Sequence, residues 1–263
     1  MINPTVRTPA VAGMFYPADA SELRTLVRNF LDETKVSGSV PKAMIAPHAG
    51  YIYSGAVAAS VYTRLIAAHK IIKQVVLLGP SHRVSFEGLA ATSMQSFATP
   101  LGEIPIDKPA IDEVLTLPQV SMLEQAHTQE HSLEVQLPFL QEVLGDFKLV
   151  PLVVGDATPE QVGGVLEKLW GGVETLIVIS SDLSHYHDYE TAQKMDKLTS
   201  QAIENLRPED IHHEQACGRH PINGLLHVAR AKNMQVQTID LRNSGDTAGS
   251  KHQVVGYGAY VFN

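Results

Sequence analysis

The stretch VVLLGPSHR, residues 75–83, decides how the rest of the sequence is interpreted. Its first four residues are apolar without interruption, which is typical of a strand buried on both faces of a sheet. A Gly-Pro pair ends this run, and His82 and Arg83 follow within three residues. The stretch therefore predicts a buried strand whose carboxyl end carries a histidine and an arginine.

Similar apolar runs recur along the chain and alternate with longer segments of helical spacing. The runs predict strands at Lys42–Ala46, Val75–Leu78, Lys148–Val154, Thr175–Ile179, Met234–Ile239 and Val254–Phe262. The helical segments lie at Ala20–Thr34, Ser54–Ala68, Ser132–Leu144, Pro159–Leu169, Tyr189–Glu204 and Pro221–Lys232. Between Glu87 and Asp107 the stretch FATPLG separates two short β-like pieces and predicts a hairpin. We therefore expect one α/β domain over residues 1–263, with a central mixed, mostly parallel sheet flanked by helices.

The composition argues against several classes of protein. The 263 residues carry a formal net charge of -8, and an acidic chain without basic clusters is not typical of a nucleic-acid-binding protein. The single cysteine excludes an intramolecular disulfide and is typical of the reducing cytoplasm. The amino-terminal residues lack the pattern of a signal peptide, and the apolar runs are shorter than the ~20 residues of a membrane span. We expect a cytoplasmic protein that binds neither nucleic acid nor membranes.

Histidines follow three of the predicted strands. The stretch APHAG places His48 after the first strand, His82 follows the second, and SSDLSHYHDY places Asp182, His185 and His187 after a third. In open α/β sheets, ligands bind in the crevice outside the carboxyl ends of the strands. A single histidine at such a place is usually a turn residue, but three strand ends with histidines predict a shared site. Neutral imidazoles suit iron, zinc or copper, so we expect a transition-metal site.

Other side chains near these motifs could contact a substrate. Arg83 could pair with an anionic substrate group, although a structural salt bridge is the alternative. Tyr51 and Tyr53 could line the mouth of the site. In QEHSLEVQLPFL, a helix would place His131 and Glu134 on one face, where they could act as acid, base or ligand or could orient a neighbouring group. The alternative is a surface pair near a helix N-terminus.

Two other features are interpreted as structural. The stretch IHHEQACGRH is typical of a solvated loop at His212 and His213, and Cys217 lacks a flanking motif of a nucleophile. The glycine-rich stretch GDTAGSKHQVVGYGAY has neither the Walker order nor the Rossmann pattern, and the chain has no Gly-x-Ser-x-Gly elbow.

Seven motifs in consistent order resemble the Memo family: AGMFYPAD, APHAGYIYSG, LLGPSHR, TPLGEIPID, EHSLEVQLPFL, SSDLSHYHDY and NSGDTAGSKHQVVGYGAY. They span nearly the whole chain. The bacterial and archaeal members are similar to the Memo component of the AmmeMemoRadiSam gene grouping. This resemblance implies a radical-SAM protein and an AMMECR-type protein as partners, beside a small-molecule substrate.

The resemblance also implies a class III extradiol dioxygenase-like fold, whose active sites hold non-haem iron. By motif, His48 and His82 take the places of two metal-binding histidines. His185 takes the place of a third active-site histidine, as metal ligand or proton carrier, with Asp182 beside it. His131 would lie in the wall of the same pocket. The implied cofactor is a divalent transition metal, Fe(II) first, with copper or zinc as alternatives.

The sequence departs from the dioxygenase pattern at the third metal ligand, which in that family is a late glutamate. Leu241 occupies the aligned position, and Asp240 and Asp246 are the nearest carboxylates. The function implied is an oxidoreductase. One alternative is a binding module for an anionic or peptide ligand, since the animal relatives are described as binding phosphotyrosine-containing peptides. Another is a metal-dependent hydrolase with Asp182 or Glu134 as base.

Overall fold

The apolar stretch at residues 75–78 lies at the centre of a large sheet in the computed structural model, which describes residues 5–34 and 38–263. The first half of the described chain contributes the strands β1 (Val6–Arg7), β2 (Ala43–Ala46), β3 (Gln74–Pro80), β4 (Leu89–Ala91), β5 (Ser96–Thr99), β6 (Gly102–Pro105) and β7 (Val120–Met122). The second half contributes β8 (Lys148–Val154), β9 (Thr175–Ser180), β10 (His185–His187), β11 (Val236–Asn243) and β12 (Val254–Phe262).

The helices are α1 (Ala20–Glu33), α2 (Tyr51–Tyr62), α3 (Lys108–Val114), α4 (Glu124–Thr128), α5 (Leu137–Leu144), α6 (Pro159–Lys168), α7 (Tyr189–Glu204) and α8 (Arg219–Ala231). Side chains fix several helix starts: Asp19 accepts hydrogen bonds from two backbone N–H groups of α1, and Thr158 forms a capping box with Gln161 at α6. Two predicted helices are partly 3-10 helix, at Thr63–Ala68 and Glu134–Gln136. No helix in the described ranges has both the length and the apolar character needed to cross a membrane.

Four parallel strands form the middle of the sheet, in the order β2, β9, β3, β8. Antiparallel pairs extend it on both sides, with β12 beside β2 and β4 beside β8. The strands β10 and β11 also pair with β12, and β7 pairs in parallel with β4. The expected mixed, mostly parallel core and its flanking helices are confirmed.

The predicted hairpin lies in a second sheet of three strands, β1, β5 and β6. The strands β5 and β6 pair antiparallel around the turn at Pro100, as FATPLG predicts. Residues 89–91 lie outside this hairpin, because β4 belongs to the large sheet.

The carboxyl ends of the central strands meet at one edge. Ala46, the last residue of β2, is paired with Ser180, the last residue of β9, and β3 lies beside β9 in parallel register. The loops that leave these strands therefore begin side by side. They carry His48, His82 and Asp182, so the fold brings together the segments in which the sequence predicts a site.

A buried ion pair holds the amino-terminal segment against the loop before α5. The guanidinium of Arg7 contacts the carboxylate of Glu134, and both side chains are almost completely buried. Glu134 also accepts hydrogen bonds from the backbone N–H groups of Ala10 and Val11 and from the hydroxyl of Tyr16. These bonds give Glu134 a structural role, in contrast to its predicted contact with substrate.

We expect Arg7→Met to lower the free energy of unfolding by about 3–5 kcal/mol, because it leaves Glu134 charged, buried and without its cation. The control is Arg207→Met, which removes an exposed ion pair with Asp210 and should cost at most about 1 kcal/mol. Urea unfolding followed by circular dichroism measures both values. Equal losses in the two variants would contradict a special role for the buried pair.

Candidate metal centre

Three imidazoles converge at the carboxyl edge of the sheet. His48 follows β2, His82 follows β3, and His131 lies just before the turn that leads into α5. One nitrogen atom of each ring lies within 4.8 Å of the corresponding atoms of the other two rings. The ring centroids of His82 and His131 are 4.5 Å apart, and that of His48 lies 5.2 and 5.4 Å from them.

The tautomer of His48 is fixed by a chain of hydrogen bonds. The hydroxyl of Ser180 donates its proton to the carbonyl of Ser132 (2.5 Å) and accepts from the side-chain amide of Gln136 (2.7 Å). Because the hydroxyl proton of Ser180 is donated to Ser132, the hydroxyl oxygen can only accept in its contact with His48. Nδ1 of His48 therefore carries a proton and donates it to Oγ of Ser180 over 2.9 Å. The Nε2 atom of His48 is therefore unprotonated and can bind a cation.

The carboxylate of Glu130 lies beside the imidazoles of His82 and His131. Its Oε1 atom lies 2.8 Å from Nδ1 of His82 and 3.4 Å from Nδ1 of His131. The carboxylate also accepts hydrogen bonds from the backbone N–H groups of His82, His131 and Ser132. A carboxylate is acceptor-only, so Nδ1 of His82 donates and its Nε2 carries the free lone pair. A carboxylate behind an imidazole is the arrangement that orients histidine ligands in metalloproteins.

Burial and mutual repulsion keep two of these imidazoles neutral. Desolvation, together with the neighbouring ring of His82, lowers the pKa of His48 well below its ordinary value. Desolvation and the neighbouring rings of His48 and His82 lower the pKa of His131 to about 4. Neutral imidazole is the form that binds metals, so these rings are ready to bind without first losing a proton at pH 7.

The three imidazoles fit a transition metal ion. Metal–nitrogen distances of about 2.0–2.1 Å allow two ligating nitrogens to lie at most about 4.2 Å apart. The nitrogens of the cluster lie within 4.8 Å of one another, so a shared ion requires only a small inward movement of the rings. The donor set, three imidazole nitrogens, suits iron, copper or zinc.

His185 lies outside this group of three, although it was predicted as a ligand. Its Nδ1 atom donates to the carbonyl of Leu183 over 2.8 Å, so Nε2 is the acceptor atom of the neutral ring. Asp182 was predicted to fix this tautomer, but its Oδ1 atom instead accepts the backbone N–H of His48 over 2.7 Å. Burial raises the pKa of Asp182, and the nearby ring of His185 acts in the opposite direction.

His131 joins the cluster for a reason that the helical interpretation missed. The helix does not extend back to His131, because only a 3-10 turn begins at Glu134. Residues 131 and 134 therefore do not share a helical face. His131 contacts the other two histidines, whereas Glu134 contacts Arg7.

Cys217 lies beside the cluster, although the sequence suggested no role for it. Its Sγ atom lies 3.4 Å from Nε2 of His48 and 3.6 Å from the carbonyl of Asp182. Burial and the carboxylate of Asp182 raise the pKa of the Cys217 thiol to about 12. The thiol is therefore protonated and donates toward His48. The only signal in the sequence was the glycine after the cysteine, which permits a close approach of the backbone.

The remaining predicted residues occupy varied positions. Arg83 lines a cleft of about 930 Å³ together with His82, His185 and Cys217. Tyr53 is partly exposed, whereas Tyr51 is buried and its hydroxyl donates to the carbonyl of Val135, so Tyr51 packs behind the site.

The two late aspartates that could replace the missing glutamate are engaged elsewhere. Asp240 pairs with Arg242, and Asp246 accepts the hydroxyl of Tyr189 and the backbone N–H of Asn243. Leu241 packs against the hydrophobic core. The supporting residue that sequence reasoning missed is Glu130, whose signal was its position directly before His131.

Comparisons with known proteins agree with this architecture. A family model described as "Memo-like protein" matches residues 7–261. A relative from Aquifex aeolicus is 39% identical over 98% of this chain and 99% of its own length, and one from Aeropyrum pernix is 38% identical over 97% and 98%. Both are named as members of the same family.

A solved structure shows the same fold. The crystal structure of an uncharacterised protein from Escherichia coli K12 superposes with a TM-score of 0.54 at 13% identity, over 83% of this chain and 98% of that one. Likeness at this low identity concerns the fold alone. The sequence matches, by contrast, extend over nearly the whole chain, and the chain therefore belongs to the Memo family.

Proposed function

We propose that the chain is a metal-dependent oxidoreductase in which His48, His82 and His131 hold a divalent transition metal, with Fe(II) as the first choice. The observation that carries the proposal is the convergence of these imidazoles at the carboxyl edge of the sheet. The Nδ1 atoms of His48 and His82 are bonded to a serine hydroxyl and a carboxylate, so both rings offer Nε2. A hydrogen bond from the other ring nitrogen orients the ring of a metal-binding histidine.

A bound Fe(II) ion would supply electron exchange with dioxygen and an organic substrate. His185 lines the same cleft as His82, and Nε2 of its neutral ring can accept a proton from a substrate hydroxyl. The charge of Asp182 would stabilise the resulting imidazolium, because the two groups interact electrostatically. In this scheme Asp182 and His185 handle protons, and His131 binds the metal rather than acting as a base.

The donor set also supports a second candidate, a metal-dependent hydrolase. Many non-haem iron oxygenases use two histidines and one carboxylate, whereas three imidazoles hold the catalytic zinc of some hydrolytic and hydrating enzymes. Glu130 does not complete a carboxylate triad, since its oxygens are bonded to Nδ1 of His82 and to backbone N–H groups.

Metal analysis and oxygen consumption separate the two candidates. Protein purified without chelator should contain close to one equivalent of iron, and anaerobic loading with Fe(II) should permit oxygen uptake with a catechol-type compound. Stoichiometric zinc, with ester hydrolysis and without oxygen uptake by the iron-loaded protein, would favour the hydrolase. Protein that retains no metal and binds no added Fe(II), Cu(II) or Zn(II) would refute both.

The ligand set is tested by single substitutions. We expect His48→Ala, His82→Ala and His131→Ala each to weaken metal binding by more than the about 10–100-fold typical of losing an outer hydrogen-bond partner. His185→Ala should keep the metal and lose turnover, because His185 lies outside the cluster. Competition with a metal-sensing dye measures the affinities.

The matched control is His252→Ala, which removes an exposed histidine on the loop before β12 and should change neither property. Thermal denaturation identifies variants that fail to fold. Metal retained by the His131 variant but lost from the His185 variant would replace His131 by His185 in the ligand set.

We expect Glu130→Gln to weaken metal binding by about 10–100-fold, because the amide cannot accept the same set of N–H groups and no longer polarises the imidazole of His82. The control is Glu124→Gln, which removes the carboxylate on α4 that accepts a hydrogen bond from the hydroxyl of Thr92, directly after β4. The same dye competition measures both variants. Wild-type affinity in the Glu130 variant would show that the carboxylate does not orient the ligands.

A further inference from the structure

Two arginines in the cleft have no carboxylate partner. Arg83 and Arg219 line the cleft together with His82 and His185. Within residues 5–34 and 38–263, no carboxylate oxygen lies within 4.0 Å of either guanidinium. Unpaired guanidinium groups facing a concave site are typical of anion recognition.

The guanidinium of Arg219 is held in place by a neutral side chain. Nδ1 of His220 donates to the carbonyl of Ala157 over 2.7 Å, so its Nε2 is an acceptor and receives Nη1–H of Arg219 over 2.6 Å. No other described side chain or carbonyl accepts from this guanidinium, which has five N–H donors. Its remaining donors are therefore open to the cleft, and Arg219 itself is only half-exposed.

Arg219 is close to the metal centre because α8 starts against the end of β9. The backbone N–H of Gly218 donates to the hydroxyl of Ser181 over 2.9 Å. A Cβ atom at Gly218 would lie 2.6 Å from Cβ of Ser181, so a larger residue could not approach so closely. The preceding residue, Cys217, contacts His48. Arg219, the first residue of α8, is therefore linked to His48 through Cys217, and it lines the cleft together with His82.

We propose that this cleft binds a small organic carboxylate, with the carboxylate on Arg219 and Arg83 and the rest of the molecule directed toward His82, the member of the three-histidine cluster that lines the cleft. The inference deepens the proposed function by naming the class of substrate for the same site, and its catalytic meaning rests on that function. Arg219 is the principal anchor, because this partly buried residue has no internal anion as partner in the described part of the chain. A planar carboxylate can take two of its parallel N–H donors.

A singly charged carboxylate fits the cleft better than a doubly charged phosphate. Asp156 and Glu214 also line the cleft, and both are exposed, with the side chain of Asp156 84% exposed and 3.7 Å from Nε2 of His220. These two carboxylates offset the formal charge of the two arginines. A second negative charge on a ligand therefore gains little from the cleft, whereas one carboxylate can bind directly to the nearest guanidinium. The volume of about 930 Å³ accommodates a small aromatic or aliphatic acid.

The test compares benzoate with benzamide, which has nearly the same shape and no charge. Isothermal titration calorimetry of the full chain, both as purified and after chelator treatment, should show benzoate binding at least about 10-fold more tightly, in the range of a charge-assisted hydrogen-bond pair. Arg219→Gln should abolish this preference, Arg83→Gln should reduce it, and Arg219→Lys should restore only part of it. Arg24→Gln, which changes the charge of α1 away from the cleft, is the matched control and should behave as wild type.

Three outcomes would overturn the inference. These are equal affinity for benzoate and benzamide, an unchanged preference in a folded Arg219→Gln variant, and tighter binding of inorganic phosphate than of benzoate. Because the titration includes metal-free protein, it separates this inference from the proposed function. Benzoate binding in a protein that takes up no metal would refute the metalloenzyme and leave the carboxylate site. Metal binding without a preference for benzoate would refute the carboxylate site and leave the metalloenzyme.

Discussion

The geometry of the three-histidine cluster depends on the hydrogen bonds that the carboxylate of Glu130 accepts. Glu130 is 2% exposed. It accepts hydrogen bonds from N–H groups of His82, His131 and Ser132, and these bonds join the loop after β3 to the segment before α5. Burial opposes ionisation, but the hydrogen bonds from His82 outweigh it, and the pKa of Glu130 falls to about 2. A buried anion stabilised by N–H donors thus orients the ring of His82 and anchors the backbone of His131.

The sheet explains why these groups meet where they do. The strands β2 and β9 are buried along their whole length and β3 along all but its first residue, so polar side chains find room only where the strands end. At that edge several buried polar groups are hydrogen-bonded to one another. The hydroxyl of Tyr62 donates to Gln136, whose amide donates to Ser180, which in turn accepts from His48. The site therefore contains a connected polar network set into an apolar core.

Sequence periodicity predicts the central strands well, because a buried parallel strand must be apolar along its length. It also predicts that His48 and His82 lie close together, since both directly follow such strands. It could not identify His131 as the third member, because that choice depends on a 3-10 turn rather than a helix before α5. Nor could spacing show that Cys217 approaches His48 across 169 positions of the chain. Contacts of that kind are set by how α8 packs against the end of β9, which no local pattern encodes.

The position of Cys217 makes its chemistry depend on what the three histidines hold. In the metal-free protein, burial raises the pKa of the thiol to about 12, and the proton is directed toward Nε2 of His48 at 3.4 Å. An ion bound at that nitrogen takes the lone pair to which the thiol donates, and the carbonyl of Asp182, 3.6 Å from the sulfur, is then the remaining acceptor. A cation also favours the thiolate, so it acts on the pKa in the direction opposite to burial. If the three histidines bind a metal ion, that binding and proton loss from Cys217 are therefore coupled equilibria.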